Sequence, residues 1–147
     1  MFWFLRRAYT IQSIHSILFF HTLDVQQLKW CMNNVRSLLN KPCDFHQFLD
    51  ITQPDGVELT ECWLDSSIPI SLLACGQTYH IFRKDRASRS GGICLLIKKS
   101  LHTHVTLVAT PEPYSALEIV AVDLSDSTGV MSLSVSVEYS PPTHTLC

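Results

Sequence analysis

Three polar residues at the ends of strand-like segments carry the chemistry open to this sequence. Asn34 follows Leu28-Lys29-Trp30-Cys31-Met32-Asn33, Glu61 follows Gly56-Val57-Glu58-Leu59-Thr60, and Tyr139 closes a long alternating run. Glu61 offers the carboxylate oxygen that a hard divalent ion takes while it keeps several waters. Standing alone, it reads as a solvated or capping Glu after a strand. Asn34 puts a donor and an acceptor on one short side chain. Its plain reading is a turn residue, and Asn33 beside it competes for any role. Tyr139 brings a hydroxyl, although a strand Tyr ahead of Pro141-Pro142 is ordinary packing. Arg83, Lys84, Arg86 and Arg89 fall in one short segment and could meet nucleic-acid phosphates as point charges and forks. A solvated loop accounts for them equally well. His102 and His104 share a face of a strand, but a transition-metal site needs further donors that nothing here nominates.

Positioning these groups requires strand ends that meet. Residues 28–33 read as a buried strand that delivers Asn34 to a sheet edge. A short amphipathic helix follows, with Asp44 as its expected N-cap and Phe45, Phe48 and Leu49 at the spacing of one apolar face. Pro54-Asp55 ends that unit and residues 56–60 form the next strand, so Asn34 and Glu61 come to neighbouring strand ends. Residues 79–82 and 93–97 are two further strands, joined by the basic segment and the Ser90-Gly91-Gly92 turn. The last unit is a hairpin, residues 116–124 against 130–139 across a Ser-Asp-Ser-Thr-Gly turn. Pro141 and Pro142 end it because neither can donate to a ladder.

A chain of 147 residues, 46% hydrophobic and 16% charged, is long enough for one domain with a sizeable core and too apolar to be disordered. Its net charge of -2 argues against gripping nucleic acid over the whole surface. Six of the eleven basic residues nevertheless lie between Arg83 and Lys99, with only Asp85 opposing them. The six cysteines include no Cys-x-x-Cys pair and read as reduced thiols, Cys31 and Cys94 within apolar runs. The apolar stretch 11–20 is broken by Gln12, Ser13, His15 and Ser16, short of a membrane span and without a signal-peptide cleavage site. No transmembrane segment is expected, and an intracellular location, the nucleus included, is favoured over secretion.

Five pieces occur in order: Asn34-Val35-Arg36-Ser37-Leu38, Thr60-Glu61-Cys62-Trp63-Leu64, Phe82-Arg83-Lys84-Asp85-Arg86, Ser90-Gly91-Gly92 and Tyr139-Ser140-Pro141-Pro142. Together, over residues 28–142, they resemble the endonuclease domain of reverse-transcriptase polyproteins from non-long-terminal-repeat retrotransposons. That branch of the endonuclease/exonuclease/phosphatase superfamily is similar to apurinic endonucleases. The chain departs from the pattern at Cys62 (usually Thr), at Ser140 (usually Arg) and at Gly76-Gln77-Thr78-Tyr79 (usually Gly-Tyr).

The resemblance implies Mg²⁺-dependent hydrolysis of DNA phosphodiesters, with Glu61 and Asn34 at the metal and Tyr139 reaching the phosphate. Arg83, Lys84, Arg86 and Arg89 would then be the DNA-binding residues. It also implies an α/β fold of the α+β kind, a DNase-I-like four-layer sandwich with a mixed sheet and flanking helices. Residues 1–26 precede the resemblance as a leader of unknown role, and residues 27–147 read as a truncated domain. Its second sheet is expected to be largely missing, leaving an apolar sheet face open to self-association. The family's later Asp-x-Asn and Asp-His segments are absent after Tyr139. Catalytic groups that act as a unit fail together, so inactivity alone is expected. The alternative is a non-catalytic fragment that binds nucleic acid or protein. Phosphatase action on a lipid or nucleotide is a more distant option.

Overall fold

The computed structural model describes residues 19–20, 28–73, 77–86, 91–101, 104–108, 118–129 and 131–139. They form eight strands and one α-helix: β1 (Phe19–Phe20), β2 (Trp30–Asn34), α1 (Pro42–Thr52), β3 (Gly56–Thr60), β4 (Tyr79–Lys84), β5 (Ile93–Lys98), β6 (His104–Val108), β7 (Glu118–Ser125) and β8 (Met131–Tyr139). A mixed sheet has the order β2-β3-β5-β4, and an antiparallel sheet has the order β1-β8-β7-β6.

The β2-α1-β3 unit is parallel, Asn34 lying opposite Thr60, because α1 carries the chain back across the sheet. The helix begins at Pro42, with Lys41 at the N-cap and Asp44 inside the first turn. The expected Asp44 cap gives way because proline presets φ and lacks the amide that a first-turn residue leaves unpaired anyway. Gln53 ends the helix in a left-handed conformation (φ 45°), its amide donating to the Leu49 carbonyl at 2.9 Å. Phe45, Phe48 and Leu49 then pack with Val57, Leu59, Cys94 and Leu96 on one face of the mixed sheet.

Ile93, Leu95 and Ile97 face the opposite way and meet Val120, Val122, Leu124, Leu133, Val135 and Val137 of the second sheet. The continuous apolar run of β5 follows from burial on both faces. Deleting a large side chain from it, as in Leu95→Ala, would cost about 2–5 kcal/mol. Trp30 also reaches into this layer, where its Nε1 donates to the buried Glu58 carboxylate at 2.6 Å. Gly56 must be glycine, because a Cβ there would stand 2.2 Å from the Trp30 ring.

These layers, helix on mixed sheet on antiparallel sheet, make an α+β sandwich and overturn two expectations. The second sheet is present with four strands, and the inner face of the mixed sheet is covered by it. The proposed surface for self-association is therefore not open. The 118–139 hairpin does not extend the first sheet. Its alternate apolar residues fold onto that sheet instead, and β6 and β1 pair along its edges. Phe19 and Phe20, from the stretch ahead of residue 28, are the residues that pair with β8. Strand β4 runs two residues past the expected end, so Arg83 and Lys84 sit in the ladder opposite Cys94 and Ile93.

Candidate functional site

One end of the sandwich concentrates unusual backbone. Arg36 (φ 44°), Ser37 (φ 80°), Glu61 (φ 57°) and Trp63 (φ 55°) all lie in the left-handed region beside Gly91 (φ 92°) and Gly92 (φ 84°). Such conformations cost about 1–3 kcal/mol each for non-glycine residues and persist only when the surroundings fix them. Here they are fixed from both sides. The Ser37 and Leu38 amides donate to the Glu61 and Cys62 carbonyls at 2.8 and 3.0 Å. Cys62 and Trp63 in turn donate to the Gly92 and Gly91 carbonyls at 3.1 and 3.0 Å.

The result is a tightly held Glu61 carboxylate. Its Oε2 accepts from Trp63 Nε1 at 2.7 Å and from the Gly91 amide at 3.1 Å. Its Oε1 accepts the Tyr139 hydroxyl, which arrives from the other sheet and from 78 residues away in sequence. A carboxylate has about four lone-pair positions, so three donors leave one on Oε1 for a further partner. Asn34 is exposed at the end of β2, and its register with Thr60 puts it on the mixed sheet's inner face, beside the strand end that carries Glu61. A depression of about 150 Å³ lies between the end of β2 and the start of α1, lined by Asn33, Asn34, Ser37, Lys41 and Asp44 among others, and neither Glu61 nor Tyr139 lines it. Glu61 and Tyr139 are thus in contact, with Asn34 on the adjoining strand.

The basic residues divide. Arg83 Nη2 donates to the carbonyls of Ile68 (2.6 Å) and Asp65 (3.2 Å) and pairs with Asp85 at 3.0 Å, so its guanidinium braces the 65–68 turn. Lys84 and Arg86 are exposed, and Arg89 lies outside the described residues. Arg86 turns toward a residue not anticipated from sequence, Glu118, with Nε 3.7 Å from Oε1. Glu118 is the cross-strand partner of Tyr139 and accepts the Gly92 amide on Oε2 at 2.7 Å. Burial raises its carboxyl above the ordinary 4.5, helped by the nearby Glu61 charge and opposed by the Gly92 amide, Arg86 and Lys84. A sequence signal for it existed: Glu118 takes the same inward alternation as Val120, Val122 and Leu124.

Other candidates stay outside the site. His104 is exposed on β6 opposite Ser125, and His102 lies outside the described residues. Among the described residues no three His, Cys, Asp or Glu groups cluster as a metal site, and no helix is long and apolar enough to cross a membrane. Cys31, Cys62 and Cys94 are buried cysteines and Cys43 an exposed one, none of the four in a disulfide, while Cys75 and Cys147 lie outside the described residues. Burial, with the neighbouring Cys94 next in weight, pushes the Cys62 thiol well up, which leaves it protonated and unreactive. A scan against family models and a search of curated proteins both return no match to this chain.

Proposed function

We infer that the chain carries a half-site of the endonuclease/exonuclease/phosphatase kind, DNase-I-like in plan and akin to retrotransposon endonuclease domains. It holds a divalent cation and a DNA phosphate without cutting the strand by itself. The observation that carries this reading is the hydrogen bond from the Tyr139 hydroxyl to Glu61, which joins two motif residues across two sheets. Packing alone does not require a carboxylate and a phenol to meet at a half-buried strand end.

The donor set fits Mg²⁺. That ion needs only one or two carboxylates, because it retains waters and takes substrate phosphate oxygens, and Glu61 has one open oxygen position on a rigid support. Glu61 would hold it, with Asn34 on the adjoining strand orienting the carboxylate or phosphate. When bound, the cation would neutralise charge on the phosphate. Tyr139, once a phosphate competes with Glu61 for its hydroxyl, donates to a non-bridging oxygen. Lys84 and Arg86 supply the sequence-independent attraction to the DNA backbone. The 147 residues contain no Asp-x-Asn and no Asp-His pair. Water activation and leaving-group protonation are therefore unprovided in the family's way.

Incubation of the purified chain with supercoiled plasmid and Mg²⁺ is expected to leave the plasmid intact. Fusing the carboxy-terminal half of a retrotransposon endonuclease is expected to restore nicking that Glu61→Ala abolishes. Nicking by the chain alone that disappears in Glu61→Ala would overturn the inactivity. A fusion whose nicking ignores Glu61 would overturn the site.

A further inference from the structure

Gly91 and Gly92 form the junction between the two carboxylates of the site. Their carbonyls accept from Trp63 and Cys62, while their amides go outward, Gly91 to Glu61 at 3.1 Å and Gly92 to Glu118 at 2.7 Å. A Cβ at Gly91 would stand 2.6 Å from Glu118 Oε1 and 3.0 Å from Arg86 Cδ, so Glu118 is packed onto the turn as well as bonded to it. The Glu118 side chain is only 9% exposed, and its Oε1 makes no hydrogen bond. The ion pair with Arg86 Nε, at 3.7 Å, is long. A carboxylate desolvated this far for one amide bond and one long ion pair is a poor stabiliser of a strand. Val120, Val122 and Leu124 fill the same face with apolar groups.

We propose that Glu118 is a positioning residue of this site: by holding the Gly91 and Gly92 turn it fixes the Gly91 amide on Glu61, and it aims the Arg86 guanidinium at the phosphate that Glu61 would meet. The proposal rests on reading Glu61 as the cation ligand. Partners one step removed from a metal ligand are worth about 10–100-fold in metal affinity, and here the relay runs from Glu118 through two successive glycine amides. One buried side chain thereby sets both the orientation of the Glu61 carboxylate, held at Oε2 so that Oε1 faces the cation, and a phosphate-facing charge.

Two measurements separate this proposal from the reading beneath it. Amide hydrogen exchange on the metal-free chain tests the relay directly. Glu118→Leu should lower protection of the Gly91 amide about tenfold while the amides of β5 and β7 keep theirs, and Glu118→Gln, which still offers Gly92 an acceptor, should preserve it. Mg²⁺ titration followed by Trp63 fluorescence tests the consequence, with Trp63→Phe as the control, because Trp63 Nε1 lies on Glu61. Glu118→Leu should raise the Mg²⁺ dissociation constant at least tenfold, and Glu118→Gln should stay within about threefold of wild type. Unchanged Gly91 protection in Glu118→Leu, or protection lost equally across the core strands, would overturn the relay. A tenfold loss in Glu118→Gln with Gly91 still protected would mean direct action of the charge, and this variant carries the test if Glu118→Leu fails to fold. A Gly91 response without any Mg²⁺ signal in wild type would support the relay and overturn Glu61 as cation ligand.

Discussion

The bond between Tyr139 and Glu61 can be isolated with a double-mutant cycle. Tyr139→Phe removes the hydroxyl and keeps the ring that packs against the inter-sheet core. Glu61→Gln keeps the shape and removes the charge. A hydrogen bond to a charged group is worth about 1.5–3 kcal/mol, and solvent access at this half-buried strand end places the expectation at about 1.5 kcal/mol. Trp63 and Gly91 continue to hold Oε2 in the tyrosine variant, so the loss should be confined to Oε1. The single variant Tyr139→Phe should therefore lower the unfolding free energy by roughly that amount, a fall in Tm of about 4–6 °C for a domain of this size. In the double variant the two losses should not add, with a coupling energy of about 1 kcal/mol or more. Urea unfolding followed by far-UV circular dichroism measures all four corners at constant m-value. Additivity within about 0.3 kcal/mol would refute the argument, because it would mean the two side chains do not share a bond in solution.

The basic residues should separate by role: Arg83→Ala should cost about 1–3 kcal/mol of stability through the carbonyls of Asp65 and Ile68 that it leaves unpaired, with little effect on DNA affinity. Lys84→Ala with Arg86→Ala should instead flatten the slope of log affinity against log salt by roughly 0.9 for each phosphate that is no longer neutralised, as read by fluorescence anisotropy on a short duplex. Gly56→Ala should destabilise by about 1–3 kcal/mol in thermal unfolding, because its Cβ would overlap the Trp30 ring, and Trp30→Leu should relieve part of that loss. Glu118 gives a pH signature: its folded carboxyl titrates above 4.5, so the folded state binds more protons than the unfolded state over that window. Stability contributed by the neutral form is present below 4.5 and declines as pH rises through the folded value. Glu118→Gln should remove that decline, and parallel pH profiles for the two proteins in urea unfolding would contradict it.

The strands most legible in the sequence were those with a strong apolar code. Residues 56–60 match β3, and the apolar run 93–97 matches β5 to within one residue, because burial on both faces leaves no polar interruption. The hairpin of β7 and β8 was readable for the opposite reason, since its outer face repeats polar residues such as Ser134, Ser136 and Glu138 between buried valines. The second sheet escaped because its two edges are weakly coded. In β6, Leu107 is 59% exposed despite sharing a face with Val105, and the edge at Phe19 and Phe20 sits in a stretch broken by polar residues. Edge strands gain most of their definition from the ladder they join, which a single sequence does not display.

The candidate site could be nominated where motif order named residues, and its geometry could not be read from them. Glu61, Asn34 and Tyr139 could be nominated one by one. That Arg83 faces the 65–68 turn while Lys84 stays exposed depends on β4 running two residues further than its composition suggests. In a strand, successive side chains point to opposite faces, so extending the ladder through Arg83 and Lys84 decides which of the neighbouring cations faces the 65–68 turn and which stays exposed. The same parity rule puts Glu118 on the inner face with three apolar residues, where a charge has no packing reason to be. A carboxylate kept on an apolar face, a glycine turn at positive φ and a left-handed Glu61 are three local departures from stable design meeting at one point. Each is costly alone, and their coincidence at the junction of the two sheets is the local departure on which the proposed site rests.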